Sequence, residues 1–301
     1  MSAIALSMKK QLKTAFQRAG LYDTALDIRR LFDPESRKYR DTKRYQTVLQ
    51  GVPVQFSAEG KYSNAYFFPR YADGRLHEKN VTEMLVDALR GASCFVDVGT
   101  NLGWYTCIAA TQMLRGTVYG YEMDDLNYQL LCRNIQLNGC RNAELFHLAV
   151  SDRPGVVTYE RRGTRPSSFF RLQTEGSRSR SSRLVSVEAA ALDDLFFDGT
   201  KVPPDVMKID VEGAEMSVLR GMQRILREFR PKLFLEVHPA VLHQFGSSTA
   251  EILAFLMDHD YSVCEIQDIR EQDTAPRLKP LDYGAVIEKN NMLYAVPVTE
   301  G

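Results

Sequence analysis

The sequence predicts an α/β fold built on a doubly wound, mostly parallel sheet, and three observations predict it. From Cys94 onward, short apolar runs alternate with segments whose apolar residues recur at helical spacing. The runs are apolar throughout, as strands covered on both faces by helices require. The turn after the first run, "VDVGTNLG", holds an acid and two glycines. In a doubly wound sheet this is where a ligand sits, beyond the carboxyl ends of the strands.

At 301 residues and 44% hydrophobic, the chain can bury a full core. It reads as one large domain over 76–301 behind an extension over 1–75. Residues 1–45 read as helical and basic, with eleven Lys and Arg against five Asp and Glu. Residues 46–75 are aromatic and β-rich with turn glycines, which predicts a small strand layer before the core. "HEKNVTEMLVDALRG" (77–91) then predicts a helix closed by Gly91. "CFVDVG" is the first core strand and 104–114 a helix. "TVYGYE" is the next strand, 126–137 a helix closed by Gly139, and "AELFHLAV" a third strand. Later come the strand "DVMKIDVE", a helix over 214–229, and the strand "KLFLEV". Ser248 with Glu251 forms a capping box for a helix over 249–258. The strands "YSVCEI" and "NMLYAVPV" complete the alternation. Residues 160–183, with seven arginines and few apolar side chains, interrupt it and predict a mobile loop or hairpin.

The chemistry begins at Asp97-x-Gly99-x-x-x-Gly103. Glycine lets backbone approach a ligand closely, and the following helix start offers unpaired N–H groups. A dinucleotide site would carry GxGxxG, and an acid inside the turn would repel its pyrophosphate. The pattern suits a ligand presenting both a cation and a carboxylate, such as the methionine end of S-adenosylmethionine. Glu122 ends the next strand, 19 residues past Gly103. An acid there can accept both hydroxyls of a ribose.

"FVDVGTNLGWYT", "MKIDVEGAEMSVLRGM" and "PKLFLEVH", with "LAVSD" and "VEAAALDDL", resemble the FkbM family of S-adenosylmethionine-dependent methyltransferases. The likeness runs from about residue 77 to the C-terminus. It implies a Rossmann-like class I methyltransferase fold, a seven-stranded sheet with an antiparallel last strand, and methyl transfer to oxygen. On that reading Asp97, Gly99, Asn101 and Gly103 hold the methionine moiety, Glu122 takes the ribose, and Met123 packs on the adenine. The stretch 148–151, with Ala149, lies near the adenine edge, and Asp152 bonds the adenine amine or caps a turn.

An acceptor alcohol has a pKa far above 7 and needs a base, or a metal to lower that pKa. Asp210 and Glu212 end one strand, Glu215 opens a helix, and Glu236 and His238 end the next strand. His238 is the expected base, since an ordinary imidazole titrates near neutrality. Asp210 and Glu236 assist it, and Glu212 and Glu215 border the substrate, although the helix dipole alone favours an acid at Glu215 in a first helical turn. A divalent metal on Asp210, Glu236 and His238 is the minor reading, because close acids without a ligand spacing usually form a hydrogen-bonded network. The arginines of 160–183, Arg171 among them, suit an anionic acceptor, although such loops are commonly just solvated.

Zero net charge argues against nucleic acid as a partner. The basic arm is left as a candidate contact for protein or a membrane surface. Five scattered cysteines without a CxxC pair fit a reducing compartment, and no run reaches the length of a membrane span, so a cytoplasmic location is expected. The competing readings are a cofactor-binding or assembly protein without chemistry and, less favoured, an NAD-dependent oxidoreductase.

Overall fold

A computed structural model of the chain describes residues 42–59, 68, 74–162, 171–172 and 182–298. The basic arm lies almost wholly outside the described residues. The first described element is an antiparallel hairpin, β1 (Arg44–Leu49) and β2 (Val52–Ser57). Its turn places Gln50 and Gly51 at φ 49° and 81°, the left-handed pair that a tight hairpin turn needs. A strand layer was expected over 46–75, of which 60–67 and 69–73 lie outside the described residues. Val54 and Phe56 are fully buried, and Phe56 stacks on Trp104 with ring centroids 4.9 Å apart.

The main sheet is then laid down by alternation. In order come α1 (Lys79–Ala88), β3 (Cys94–Val98), α2 (Trp104–Gln112), β4 (Thr117–Glu122), α3 (Asp125–Leu137) and β5 (Ala143–His147). Asn134 on α3 and Asn138 just beyond it hold the edge of β2: Asn134 Oδ1 accepts from Ser57 N at 2.7 Å and Asn138 Oδ1 from Gln55 N at 2.8 Å. The hairpin is thus fastened to α3 and the residue beyond it by hydrogen bonds from its backbone to asparagine side chains as well as by apolar packing.

The expected third strand divides at Leu148. β6 (Ala149–Val150) leaves the main sheet and pairs with β9 (Ser182–Ala190), beside β7 (Gly155–Arg162) and β8 (Arg171–Leu172). The 160–183 interval is accordingly carried by an antiparallel hairpin, with residues 163–170 and 173–181 outside the described residues.

After α4 (Leu192–Phe196) come β10 (Val206–Ile209), α5 (Glu215–Arg220) and a π turn (Ile225–Phe229). The single helix expected over 214–229 therefore breaks at Gly221. A Cβ there would fall 2.1 Å from the Ser151 carbonyl oxygen. Asp193 then accepts from the backbone N–H of Arg224 and Ile225 at 3.0 Å each and caps the second segment. Next are β11 (Lys232–Val237), α6 (Pro239–Leu242) with a 3₁₀ turn (His243–Phe245), and α7 (Thr249–Met257) behind its capping box. β12 (Tyr261–Gln267), β13 (Arg277–Pro280) and β14 (Asn291–Pro297) end the described chain.

The main sheet runs β13-β12-β14-β11-β10-β3-β4-β5. β5, β4, β3, β10 and β11 are parallel and β14 is antiparallel to β11, a Rossmann-like α/β sheet with the expected reversed last strand. It has eight strands, one more than expected. β13 pairs antiparallel with β12, and its four residues are exposed, so no apolar pattern marks it. Alternate residues feed two cores. Val96, Val98, Met207 and Ile209 meet α5 and α7 on one face, while Phe95, Val206 and Phe234 meet α1, α2 and the hairpin on the other. No described helix is long and apolar enough to cross a membrane.

Candidate active site

The parallel strands reverse direction of progress between β3 and β10, and a cleft opens there. Gly99, Asn101, Glu122, Met123 and Ala149 line one part of it, and Asp210, Val211 and Glu212 another. Two turns build the first part. Gly99 sits at φ 78°, and a Cβ on it would lie 1.9 Å from the Asp210 carbonyl oxygen. The glycine is therefore demanded by the contact between the ends of β3 and β10, not by a ligand. Gly103, at φ 90°, precedes α2, and a Cβ there would meet Leu131 at 2.6 Å. It serves helix packing and does not reach the cleft.

Glu122 braces the cleft from the end of β4. It is 3% exposed; its Oε2 accepts from Asn101 N at 2.7 Å and its Oε1 from Asp124 N at 2.8 Å. The Asn127 side chain also hydrogen-bonds this carboxyl, and capacity remains for a further donor. Burial raises the carboxyl to about 7, against the pull of these bonds. Asn101 adopts φ 53°, a conformation asparagine tolerates, and its buried Oδ1 has no hydrogen-bond partner. An acid with spare acceptor sites, an orphaned amide oxygen and apolar walls from Val98, Leu148 and Val157 fit a nucleoside with a polar tail.

Asp97 is placed differently from the expectation. It lies beneath the turn, 1% exposed, and Thr106 Oγ1 donates to its Oδ2 at 2.6 Å. Burial raises its carboxyl and Lys208 opposes that. It does not line the cleft. Asp152 is also off the wall, beside the Ser151 hydroxyl at 3.2 Å and Arg153 at 3.9 Å; Leu148, Ala149, Val150 and Ser151 of that stretch line it.

The second part of the site gathers around His238. Its side chain is 3% exposed, and its Nδ1 lies 2.6 Å from Glu215 Oε1, which also accepts from Gly213 N at 3.0 Å. Its Nε2 faces Glu212 Oε2 at 3.3 Å, Glu236 Oε1 at 3.6 Å and Asp210 Oδ1 at 3.8 Å. Asp210 Oδ2 accepts from Lys208 Nζ at 3.2 Å. Lys208 is itself buried over the Tyr105 ring at 4.9 Å, and Tyr105 donates to Glu78 at 2.8 Å. Burial alone would lower His238, but the Glu215 bond and then Glu212, Asp210 and Glu236 outweigh it and raise the ring to about 9. Burial likewise raises Glu212 to about 8 and Glu236 well above the carboxylate range. For Asp210 burial is outweighed by Lys208 and His238, which hold it low. Lys208 stays cationic for the same reason, since Asp210, Asp97 and Glu236 overcome its desolvation.

Residues 97–263, more than half of the chain, match the model of the methyltransferase FkbM domain. The chain belongs to the FkbM methyltransferase domain family. A relative in Haloferax volcanii, the hexuronic acid methyltransferase AglP, is 26% identical over 164 residues, 54% of this chain and 64% of that protein. The chain thus covers less than two thirds of that relative's length. Among solved structures, a methyltransferase FkbM from Methylobacillus flagellatus aligns at 18% identity over 68% of this chain and 43% of its own, TM-score 0.42. An O-methyltransferase from Bacillus cereus in complex with SAH aligns at 13% identity over 72% and 80%, TM-score 0.41.

Two expectations about this FkbM domain change in the structure. β10 ends at Ile209, so Asp210 and Glu212 lie beyond the strand they were expected to end. Glu212 reaches the cluster by turning to φ 50°, a left-handed conformation that costs a non-glycine residue about 1–2 kcal/mol. Glu215 is fully buried behind His238 and cannot border a substrate; it holds the ring. Gly213, at φ 113°, makes room for Phe245, which a Cβ would meet at 2.6 Å. The side chain of Arg171 lies outside the described residues. Sequence reading passed over Lys208, Glu78 and Tyr105. The signal for Lys208 was present: a lone lysine inside the apolar run "VMKIDV" must be paired where it is buried.

Proposed function

We propose that this FkbM domain binds S-adenosylmethionine in the β3–β10 cleft and methylates a hydroxyl of an acidic sugar. The observation that carries the reading is one cleft lined by a ribose-type acceptor, Glu122, and by Asp210 and Glu212, with Glu236 and His238 buried behind Asp210. The acidic-sugar class is suggested by the name of the Haloferax relative. Bound S-adenosylmethionine would supply an activated methyl group for displacement by the acceptor oxygen.

The residues divide the work. Glu122 accepts from the ribose hydroxyls, Asn101 offers its orphaned Oδ1 to the polar tail, and Met123 and Leu148 cover the base. Asp210, Glu236 and His238 receive the acceptor hydroxyl and take its proton, with Glu212 beside them. Glu215 is a positioning residue: an N–H on Nδ1 directs Nε2 at the acceptor. With its pKa raised to about 9, His238 already holds a proton at neutral pH, so the cluster accepts the new proton only as that one is given up or displaced. We take 76–301 as the methyltransferase unit and 1–75 as an extension whose hairpin braces α3. The arginines of 160–183 remain the candidate contact for an anionic acceptor.

Calorimetric titration with S-adenosylhomocysteine, with NAD as control, tests the cofactor. Micromolar binding of the first alone is expected, and binding of neither would remove the assignment. Transfer of labelled methyl to uronic acid glycosides over their neutral counterparts then tests the acceptor.

A further inference from the structure

The cluster around His238 does not close on itself. Six carboxyl groups (Glu78, Asp97, Asp210, Glu212, Glu215 and Glu236) gather around Lys208 and His238, and among the described residues a surface guanidinium, Arg270, reaches Glu78 at 3.5 Å. A hydrogen-bonded network should satisfy its own members. Here Nε2 of His238, on a side chain 3% exposed, faces three carboxyl oxygens, of Glu212, Glu236 and Asp210, at 3.3, 3.6 and 3.8 Å. Asp210 Oδ1 and Glu215 Oε2 are buried without partners.

We propose that Asp210 Oδ1, Glu236 Oε1 and His238 Nε2, with Glu212 Oε2 as a fourth donor, form a divalent-cation site at the acceptor end of the cleft. The atoms of the first three lie within 4.8 Å of one another, and all three oxygens are 3.3–3.8 Å from Nε2. An ion bound at about 2.1 Å holds neighbouring donors roughly 3 Å apart, so the distances from Nε2 to the three oxygens, 3.3–3.8 Å, lie within an ångström of what a bound ion requires. Two donors are already held from behind. Glu215 fixes His238 through Nδ1, which leaves Nε2 as the ligand, and Lys208 occupies Asp210 Oδ2, which turns Oδ1 inward. Such outer partners are characteristic of metal-ligating histidines and carboxylates. Three carboxylates and one imidazole suit Mn²⁺ better than Mg²⁺, since imidazole is a poor ligand for the harder ion.

The ion would take the place of a proton on Nε2. It would also let an anionic acceptor approach and lower the pKa of a coordinated hydroxyl. That use rests on the acceptor reading above; the site itself does not.

The test is Mn²⁺ titration of the full chain after chelator treatment, without cofactor or acceptor, following loss of the free-ion electron paramagnetic resonance signal. One ion per chain with a micromolar Kd is expected. Asp210→Asn and Glu236→Gln should each weaken binding by roughly 10–100-fold or abolish it, Glu215→Gln by roughly tenfold or more, and Asp273→Asn, an exposed acid elsewhere, should have no effect. Retained S-adenosylhomocysteine binding and an intact thermal transition show that a variant is folded. If Asp210→Asn fails this check, Glu236→Gln and Glu215→Gln carry the test. Absence of saturable one-to-one binding, or binding unchanged in the folded variants, overturns the site. Loss of methyl transfer with Mn²⁺ binding intact would overturn only the acceptor reading.

Discussion

Lowering the pH from 8 to 6 should weaken S-adenosylhomocysteine binding about tenfold, and Glu122 is the reason. Burial raises its carboxyl to about 7, so the ionised fraction falls from about nine tenths to about one tenth over this interval. Ribose hydroxyls donate to the ionised form, and a tenfold loss of that form corresponds to about 1.4 kcal/mol. Folding responds in the opposite sense. A carboxyl raised from 4.5 to about 7 contributes stability that is full below pH 4.5 and lost as pH rises through about 7, in all about 3 kcal/mol. The assay is calorimetry at pH 6, 7 and 8 on the wild type and Glu122→Gln. The amide has one acceptor where two backbone N–H groups point, from Asn101 and Asp124, so affinity should fall by about 1–3 kcal/mol at every pH. Its pH profile should also be flat. A wild-type affinity constant to within twofold, or an equal slope in Glu122→Gln, would refute the role given to this carboxyl.

Three further outcomes follow from packing and charge. Gly99→Ala sets a methyl 1.9 Å from the Asp210 carbonyl at φ 78°, and thermal unfolding should show a loss of at least about 3 kcal/mol, or no soluble protein. Phe56→Ala removes a fully buried ring from Trp104, and denaturant titration should register about 3–5 kcal/mol of destabilisation. Lys208→Met leaves Asp97, Asp210 and Glu236 without their shared cation; about 3–5 kcal/mol should be lost at neutral pH, with partial recovery in acid as the carboxyls protonate. A stability equal to wild type at pH 7 would show that Lys208 does not hold the acids together.

Much of this molecule was legible in the chain because its signals are local. Continuous apolar runs marked β3, β4, β10 and β11, and the Ser248–Glu251 pair marked the start of α7, since faces and caps are decided within a few residues. The acid ending β4 was legible for the same reason. What local pattern could not carry was convergence. Lys208 stands beside Asp97 only because β10 pairs with β3 in that register, and Asp210 and Glu236 approach because β11 adds on the other side. The short β13, exposed along its length, and the break at Gly221, set by a carbonyl 70 residues away in sequence, were invisible for the same reason. The sequence by itself determined the sheet, the cleft's position at the strand ends and the chemical types present there. Only the tertiary structure decided their roles: Asp97 went under the turn, Glu215 behind His238, and Glu212 into the cluster through a left-handed turn. The physical reason is that a carboxylate's function depends on which groups face it, and those groups come from four different stretches of chain.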